Sequence, residues 1–109
     1  MNPIDFNGID TAVHGPVRLG VLTALQMDGP LDFTTLRKRL DVADGALGLH
    51  LRNLEEHGYV GCKKAFFGRR PKSTYQITRQ GRAALRRYLT AMQQLIDSLD
   101  FSTERRPGK

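Results

Sequence analysis

The chain has 109 residues, enough for one domain with a single modest core. Hydrophobic residues make up 39% and charged residues 26%, a balance ordinary for a soluble globular protein. The formal net charge of +6 favours a polyanionic partner, nucleic acid first and an anionic membrane surface second.

No apolar run approaches the ~20 residues that span a bilayer, and the N-terminus lacks a basic-then-apolar leader, so a cytoplasmic location is expected. Cys62 is the only cysteine, which excludes an intrachain disulfide and a cysteine-based metal site within one chain. His14, His50 and His57 do not fall at a metal-binding spacing with carboxylates. A phosphate-binding glycine loop, a Gly-x-Ser-x-Gly elbow and a useful cysteine–histidine arrangement are all missing, so neither an enzyme nor a cofactor is expected.

The position of the charge says more than its total. Between His57 and Ile96 there is no Asp or Glu, while Lys63, Lys64, Arg69, Arg70, Lys72, Arg79, Arg82, Arg86 and Arg87 all fall there. A solvated surface mixes both signs, so this segregation points to a partner.

In chain order, residues 1–8 carry few apolar anchors and are expected to be mobile unless a partner subunit covers them. A short helical turn is expected from Ile9 to Val13, and His14-Gly15-Pro16 then opens a helix, because proline suits the first helical turn. Val17, Val21, Leu22 and Leu25 form its apolar stripe, with His14 and Arg18 as braces, and Asp28-Gly29-Pro30 ends it. Leu31-Asp32-Phe33 is a candidate edge strand. Thr34 is the expected N-cap of a helix from Thr35 to Leu40, with Leu36, Leu40 and Phe33 inward and Arg37, Lys38 and Arg39 outward.

Asp41-Val42-Ala43 reads as a turn to a second helix with Asp44 as its N-cap, and Asp41 tolerates the left-handed backbone such a turn needs. Leu47, Leu51 and Leu54 give that helix a buried face. The other face carries Ala46, Gly48, Leu49, Arg52 and Asn53, with His50 at its margin. Small side chains there let a backbone approach DNA closely, Leu49 suits a thymine methyl, and Arg52 or Asn53 suits a base edge. Gly58 stops the helix.

Two strands follow, Tyr59 to Phe66 and Ser73 to Thr78, around a basic turn from Gly68 to Lys72. Val60 and Cys62 share one face, with Cys62 a packing residue, and Tyr75 and Ile77 close the core from the sheet side. Five basic side chains around the tip exceed what protection of a sheet edge requires, and arginines suit phosphates or a narrow minor groove. Thr78 is the expected cap of a last helix reaching about Leu99. Leu85, Tyr88, Met92, Leu95 and Leu99, widened by Leu89 and Ile96, repeat at heptad spacing. With the hairpin complete at Thr78, this helix has little of its own chain left to cover, so its stripe reads as a homodimer face. Residues 100–109 read as a polar, disordered tail.

Three segments carry a family resemblance: His14-Gly15-Pro16-Val17-Arg18-Leu19; Asp44-Gly45-Ala46-Leu47 with His50-Leu51-Arg52-Asn53-Leu54-Glu55-Glu56-His57-Gly58-Tyr59-Val60; and Phe67-Gly68-Arg69-Arg70-Pro71-Lys72-Ser73-Thr74-Tyr75-Gln76-Ile77-Thr78 with Gly81-Arg82. Together they resemble the small winged-helix transcriptional regulators related to the MarR and ArsR groups, from His14 to about Leu99. The chain departs from the pattern at Gly48-Leu49, where polar residues are common, and at Asp41, which replaces the turn glycine. The cysteine-rich motif of metal-sensing ArsR proteins is absent.

The expected fold is therefore α+β, mostly α: a winged helix-turn-helix over residues 9–78, then a dimerisation helix over 79–99. The resemblance implies a homodimeric DNA-binding regulator on a pseudo-palindromic duplex, more in keeping with a repressor, and carries over no small-molecule site. The alternative is a protein-interaction module with only non-specific DNA affinity. The candidate DNA-facing set comprises Thr34, Thr35, Arg37, Asp44, Ala46, Gly48, Leu49, His50, Arg52 and Asn53 on the helices. On the hairpin it comprises Lys63, Lys64, Arg69, Arg70, Pro71, Lys72, Ser73 and Thr74.

Overall fold

The computed structural model describes residues 9–99; the expected mobile N-terminus and disordered tail lie outside them. The order of elements is α1 (Pro16–Asp28), β1 (Leu31–Asp32), α2 (Phe33–Leu40), α3 (Asp44–Glu56), β2 (Val60–Phe67), β3 (Arg70–Ile77) and α4 (Arg79–Ser98). Helix α1 is the centre of assembly, with Val21, Leu22, Ala24 and Leu25 buried and neighbours in α2, α3, α4 and β3. Before it comes the expected turn. The Asp10 carboxylate accepts from the Ala12 N–H at 2.8 Å, its carbonyl accepts from the N–H groups of Val13 and His14, and Val13 is fully buried.

The cap of α2 differs from expectation. Asp32, rather than Thr34, accepts from the Thr35 N–H at 2.8 Å, and the helix starts at Phe33. Asp is at least as good an N-cap as Thr, and the pairing of β1 with β3 holds Asp32 in the extended conformation a cap requires. Thr34 is thereby an exposed residue of the first turn. Asp41 takes the left-handed conformation, φ 51 and ψ 55, as the turn demands. Helix α3 starts at Asp44 with Ala43 as a cap that makes no side-chain bond, so Asp44 is not the N-cap. Its carboxylate lies instead 3.1 Å from Arg37 Nε, tying α3 to α2, and its charge suits the positive end of the helix.

The sheet has the order β1-β3-β2 and is antiparallel throughout. Its turn is only Gly68-Arg69, shorter than the basic turn expected; Arg70, Pro71 and Lys72 lie in β3 opposite Phe67, Phe66 and Ala65. Gly68 permits this with φ 64. Proline is tolerated in β3 because β1 pairs only with Tyr75 and Thr74, which leaves Pro71 on a free edge. At the base, Val60 pairs with Ile77 and Cys62 with Tyr75, and this face closes the core. Burial, with Cys62 beside it, pushes the Tyr75 hydroxyl up to about 12.

Two carboxylates anchor the wing. Asp32 Oδ2 is 3.4 Å from Lys72 Nζ, and Asp10 accepts a 2.5 Å hydrogen bond from the Tyr59 hydroxyl. Hydrogen bonding to Thr35, with Lys72 nearby, holds Asp32 below its ordinary 3.8. Burial alone would raise Asp10, but the bonds from Tyr59 and Ala12 outweigh it and lower it too. A lowered folded-state value means stability that is complete above the ordinary value and lost as pH falls through the lowered one.

Thr78 caps α4 as expected, its hydroxyl accepting from the Gly81 N–H at 2.9 Å and donating to the Gly58 carbonyl at 2.6 Å. The expectation that α4 has little of its own chain to cover is corrected. Its first half packs on α1, so Leu85 and Tyr88, read as dimer residues, are 6% and 5% exposed within this chain. Tyr88 also shares a 2.9 Å hydrogen bond with His14 Nδ1. Met92 packs partly on the same core; Leu89, Ile96 and Leu99 do not.

A Cβ at Gly81 would lie 2.1 Å from the Tyr59 carbonyl oxygen and 2.9 Å from Ile77 Cγ1. Gly81→Ala is therefore expected to cost at least roughly 1–3 kcal/mol, the range for overpacking, read from chemical denaturation. An unchanged midpoint would show that the start of α4 can move away from the hairpin.

Candidate nucleic-acid interface

The free face of α3 is small and apolar in its first half. Ala46 and Arg52 are exposed, Leu49 is 63% exposed, and Gly48 and Asn53 are half-buried. A Cβ at Gly48 would meet nothing within 4 Å, so no packing within the chain calls for glycine there. Glu55 and Glu56 sit at the opposite, C-terminal end, where their charge would repel phosphates and oppose the helix dipole. This polarity marks the N-terminal half as the end that suits a polyanion.

His50 is turned aside. Its Nδ1 accepts from Arg18 at 3.1 Å, and the same guanidinium donates to the carbonyls of Ala12, His14 and Thr11 at 2.9, 2.8 and 3.2 Å. Arg18 thus fixes α3 to α1 and to the N-terminal turn, the bracing role expected of it. Arg18, Leu49, His50, Arg52, Asn53 and Glu56 line a cleft.

The basic residues of α2 diverge. Arg37 is committed to Asp44 and Arg39 to Asp28, while Lys38 has no carboxylate partner among the described residues. Thr34 is exposed and Thr35 half-buried at the helix start.

Register divides the wing into two faces. Lys63, Phe67, Arg70, Lys72 and Thr74 lie on one, and Lys64, Phe66, Pro71 and Ser73 on the other, the one that closes the core at its base. Lys63, Lys64, Arg69, Arg70 and Pro71 are exposed; Ser73 and Thr74 are half-buried. Lys72 is the constrained cation, held at Asp32 and over the Phe67 ring at 4.9 Å. Phe66 and Phe67, 75% and 64% exposed, were absent from the sequence-derived candidates. Their signal was legible, because two successive strand residues point to opposite faces and cannot both enter one core.

On α4, Leu89, Ile96 and Leu99 are 51%, 52% and 55% exposed, with Leu95 half-buried between them. Among the described residues no helix is long and apolar enough to cross a membrane, and none of the His, Cys, Asp and Glu groups form a metal-binding cluster.

A family model described as a winged helix DNA-binding domain matches residues 17–96. An uncharacterized protein of Methanocaldococcus jannaschii is 34% identical over 84 residues, covering 77% of this chain and 91% of its own. Among solved structures, a transcriptional regulator homologue from Pyrococcus horikoshii OT3 superposes with a TM-score of 0.75 at 34% identity, over 82% of this chain and 88% of its own. A MarR-family regulator from Enterococcus faecalis V583 gives 0.67 at 23% identity, over 87% and 83%, a likeness of fold alone. With the match spanning the helices, the wing and nearly all of α4, the chain belongs to the winged helix DNA-binding domain family of transcriptional regulators.

Proposed function

We propose that this protein is a cytoplasmic, homodimeric transcriptional regulator that binds a specific duplex sequence, with α3 in the major groove and the wing on the adjacent backbone. The observation that carries the reading is the pairing of an open, small-residue face on α3 with a hairpin whose free cations have no acid among them. Ala46, Gly48 and Leu49 allow close approach and apolar contact with a thymine methyl, and Arg52 and Asn53 supply hydrogen bonds to base edges. Thr34, Thr35, Lys38, Lys63, Lys64, Arg69 and Arg70 serve phosphates, while Arg37, Asp44, His50 and Lys72 act mainly by holding the reading elements in place.

A second copy of the chain is the proposed occupant of the distal α4 face. Leu95, Ile96 and Leu99 continue the apolar stripe beyond Met92, the last residue of α4 packed on this core, and the exposed Leu89 flanks it. Burying a large apolar side chain contributes roughly 1.5–3 kcal/mol, so mutual cover of these stripes favours a two-fold pair. Two-fold symmetry would set the recognition helices about one DNA turn apart, roughly 34–36 Å, on a pseudo-palindrome. Occupying such a site blocks other proteins from it, which is repression.

Three variants test the parts separately. Arg69→Ala should weaken binding to all duplexes and flatten the slope of log K against log salt by about one unit; an unchanged slope removes Arg69 from the phosphate contacts. Gly48→Ala should raise stability by roughly 0.8–1 kcal/mol, the helix-interior preference for alanine, yet weaken binding to a specific duplex. Equal affinity would show that the backbone does not approach the bases at that point. Ile96→Glu should shift the sedimentation of the free protein from dimer to monomer, and a persistent dimer would place the subunit contact elsewhere.

A further inference from the structure

The two phenylalanines at the end of β2 are the largest apolar side chains on the wing, and neither belongs to the core. Their situations differ. Phe67 lies beneath the Lys72 ammonium, which is itself held at Asp32. Phe66 sits opposite Pro71 and is 75% exposed, so the two form an apolar pair near the tip. Strand alternation puts this tip on the face that carries Cys62 and Tyr75 at the base, the face turned toward the helices.

Length and charge narrow the use of that tip. From Cys62 to Phe66 the hairpin runs four residues past the core, about 13 Å at strand rise. Half of a DNA turn, the distance along the axis from a major groove to the neighbouring minor groove, is about 17 Å, a reach of the same order. Lys64 shares the face of Phe66, Arg69 lies in the turn just beyond it, and both are exposed. An apolar ring set among free cations is a poor match for a neutral protein surface and a good one for a groove walled by phosphates.

On the reading of this protein as a DNA binder, we propose that Phe66, backed by Pro71, is a wedge that enters the minor groove beside the α3 site and opens a base step. Proteins that insert apolar side chains there partly unstack the bases and kink the duplex by roughly 20–90° toward the major groove. The wedge gives the wing a part in sequence choice. Flexible steps such as TA or CA/TG deform more readily, so the protein gains preference at a position where it makes no hydrogen bond. This complements an α3 whose centre, Gly48-Leu49, offers no polar side chain.

The test uses a duplex enriched by the wild-type protein from a random pool. It carries dyes at both ends to report bending and 2-aminopurine at successive steps to report unstacking. The wild-type complex should bend the duplex by at least roughly 20° and brighten 2-aminopurine at one step about half a turn from each half-site centre. Phe66→Ala should abolish both signals and weaken binding roughly tenfold or more, in line with the loss of one stacked base. It should leave the salt slope and the unfolding midpoint unchanged, and Phe66→Trp should retain both signals. A straight wild-type complex, or the same bend with Phe66→Ala, overturns the wedge. So does a Phe66→Ala protein that bends DNA normally but loses its dimer, which would make the ring a subunit contact. If the wild-type protein enriches no duplex and binds none, the DNA reading itself falls and the wedge falls with it.

Discussion

The geometry of the molecule depends on the close approach between the start of α4 and the base of the hairpin. Thr78 joins the two: its N–H donates to the Tyr59 carbonyl, its hydroxyl donates to the Gly58 carbonyl, and the same oxygen accepts from Gly81. Gly81 has no room for a side chain against the Tyr59 carbonyl. Four residues thereby fix where β2 begins, where β3 ends and the direction in which α4 leaves. The wing and the proposed dimer helix are therefore aimed from one point.

Around that point, polar ties replace flexibility where the reading elements meet the body. Arg18 links α3 to α1 and to the N-terminal turn, Arg37 and Asp44 link α2 to α3, and Asp32 both caps α2 and holds the wing through Lys72. Several charged residues in the helix-turn-helix thus serve geometry. The cations that remain free, Lys38 among them, are those with no carboxylate within reach among the described residues. The candidate DNA-facing surface is therefore marked as much by which charges are left uncommitted as by how many there are.

Much of the fold was legible in the sequence because its strongest signals are local. The stripe of Leu47, Leu51 and Leu54, the Thr78 cap and the left-handed Asp41 each follow from neighbours within a few residues. The errors arose where two local answers were nearly equal or where the answer was long-range. Asp32 and Thr34 can both cap a helix, and only the pairing of β1 with β3 decides between them. Pro71 reads as a turn residue until the shortness of β1 shows that β3 has a free edge there. The heptad stripe of α4 was visible, but not that α1 claims Leu85 and Tyr88 while Ile96 and Leu99 stay open. Of the candidate site, the basic residues were legible as candidates from charge, but not which of them are committed to carboxylates, as Arg37 and Lys72 are. The exposure of Phe66 and Phe67 was legible only from the pair, since strand alternation keeps both from entering one core.

The central claim is that two copies of this chain read one duplex through paired α3 helices. The most direct measurement is enrichment of a random duplex pool by the purified protein, with the mass of the resulting complex determined. A two-fold related motif with half-site centres about one turn apart, roughly 34–36 Å, bound by two chains, is the predicted result. A pool that stays random, or a single half-site bound by one chain, would contradict it.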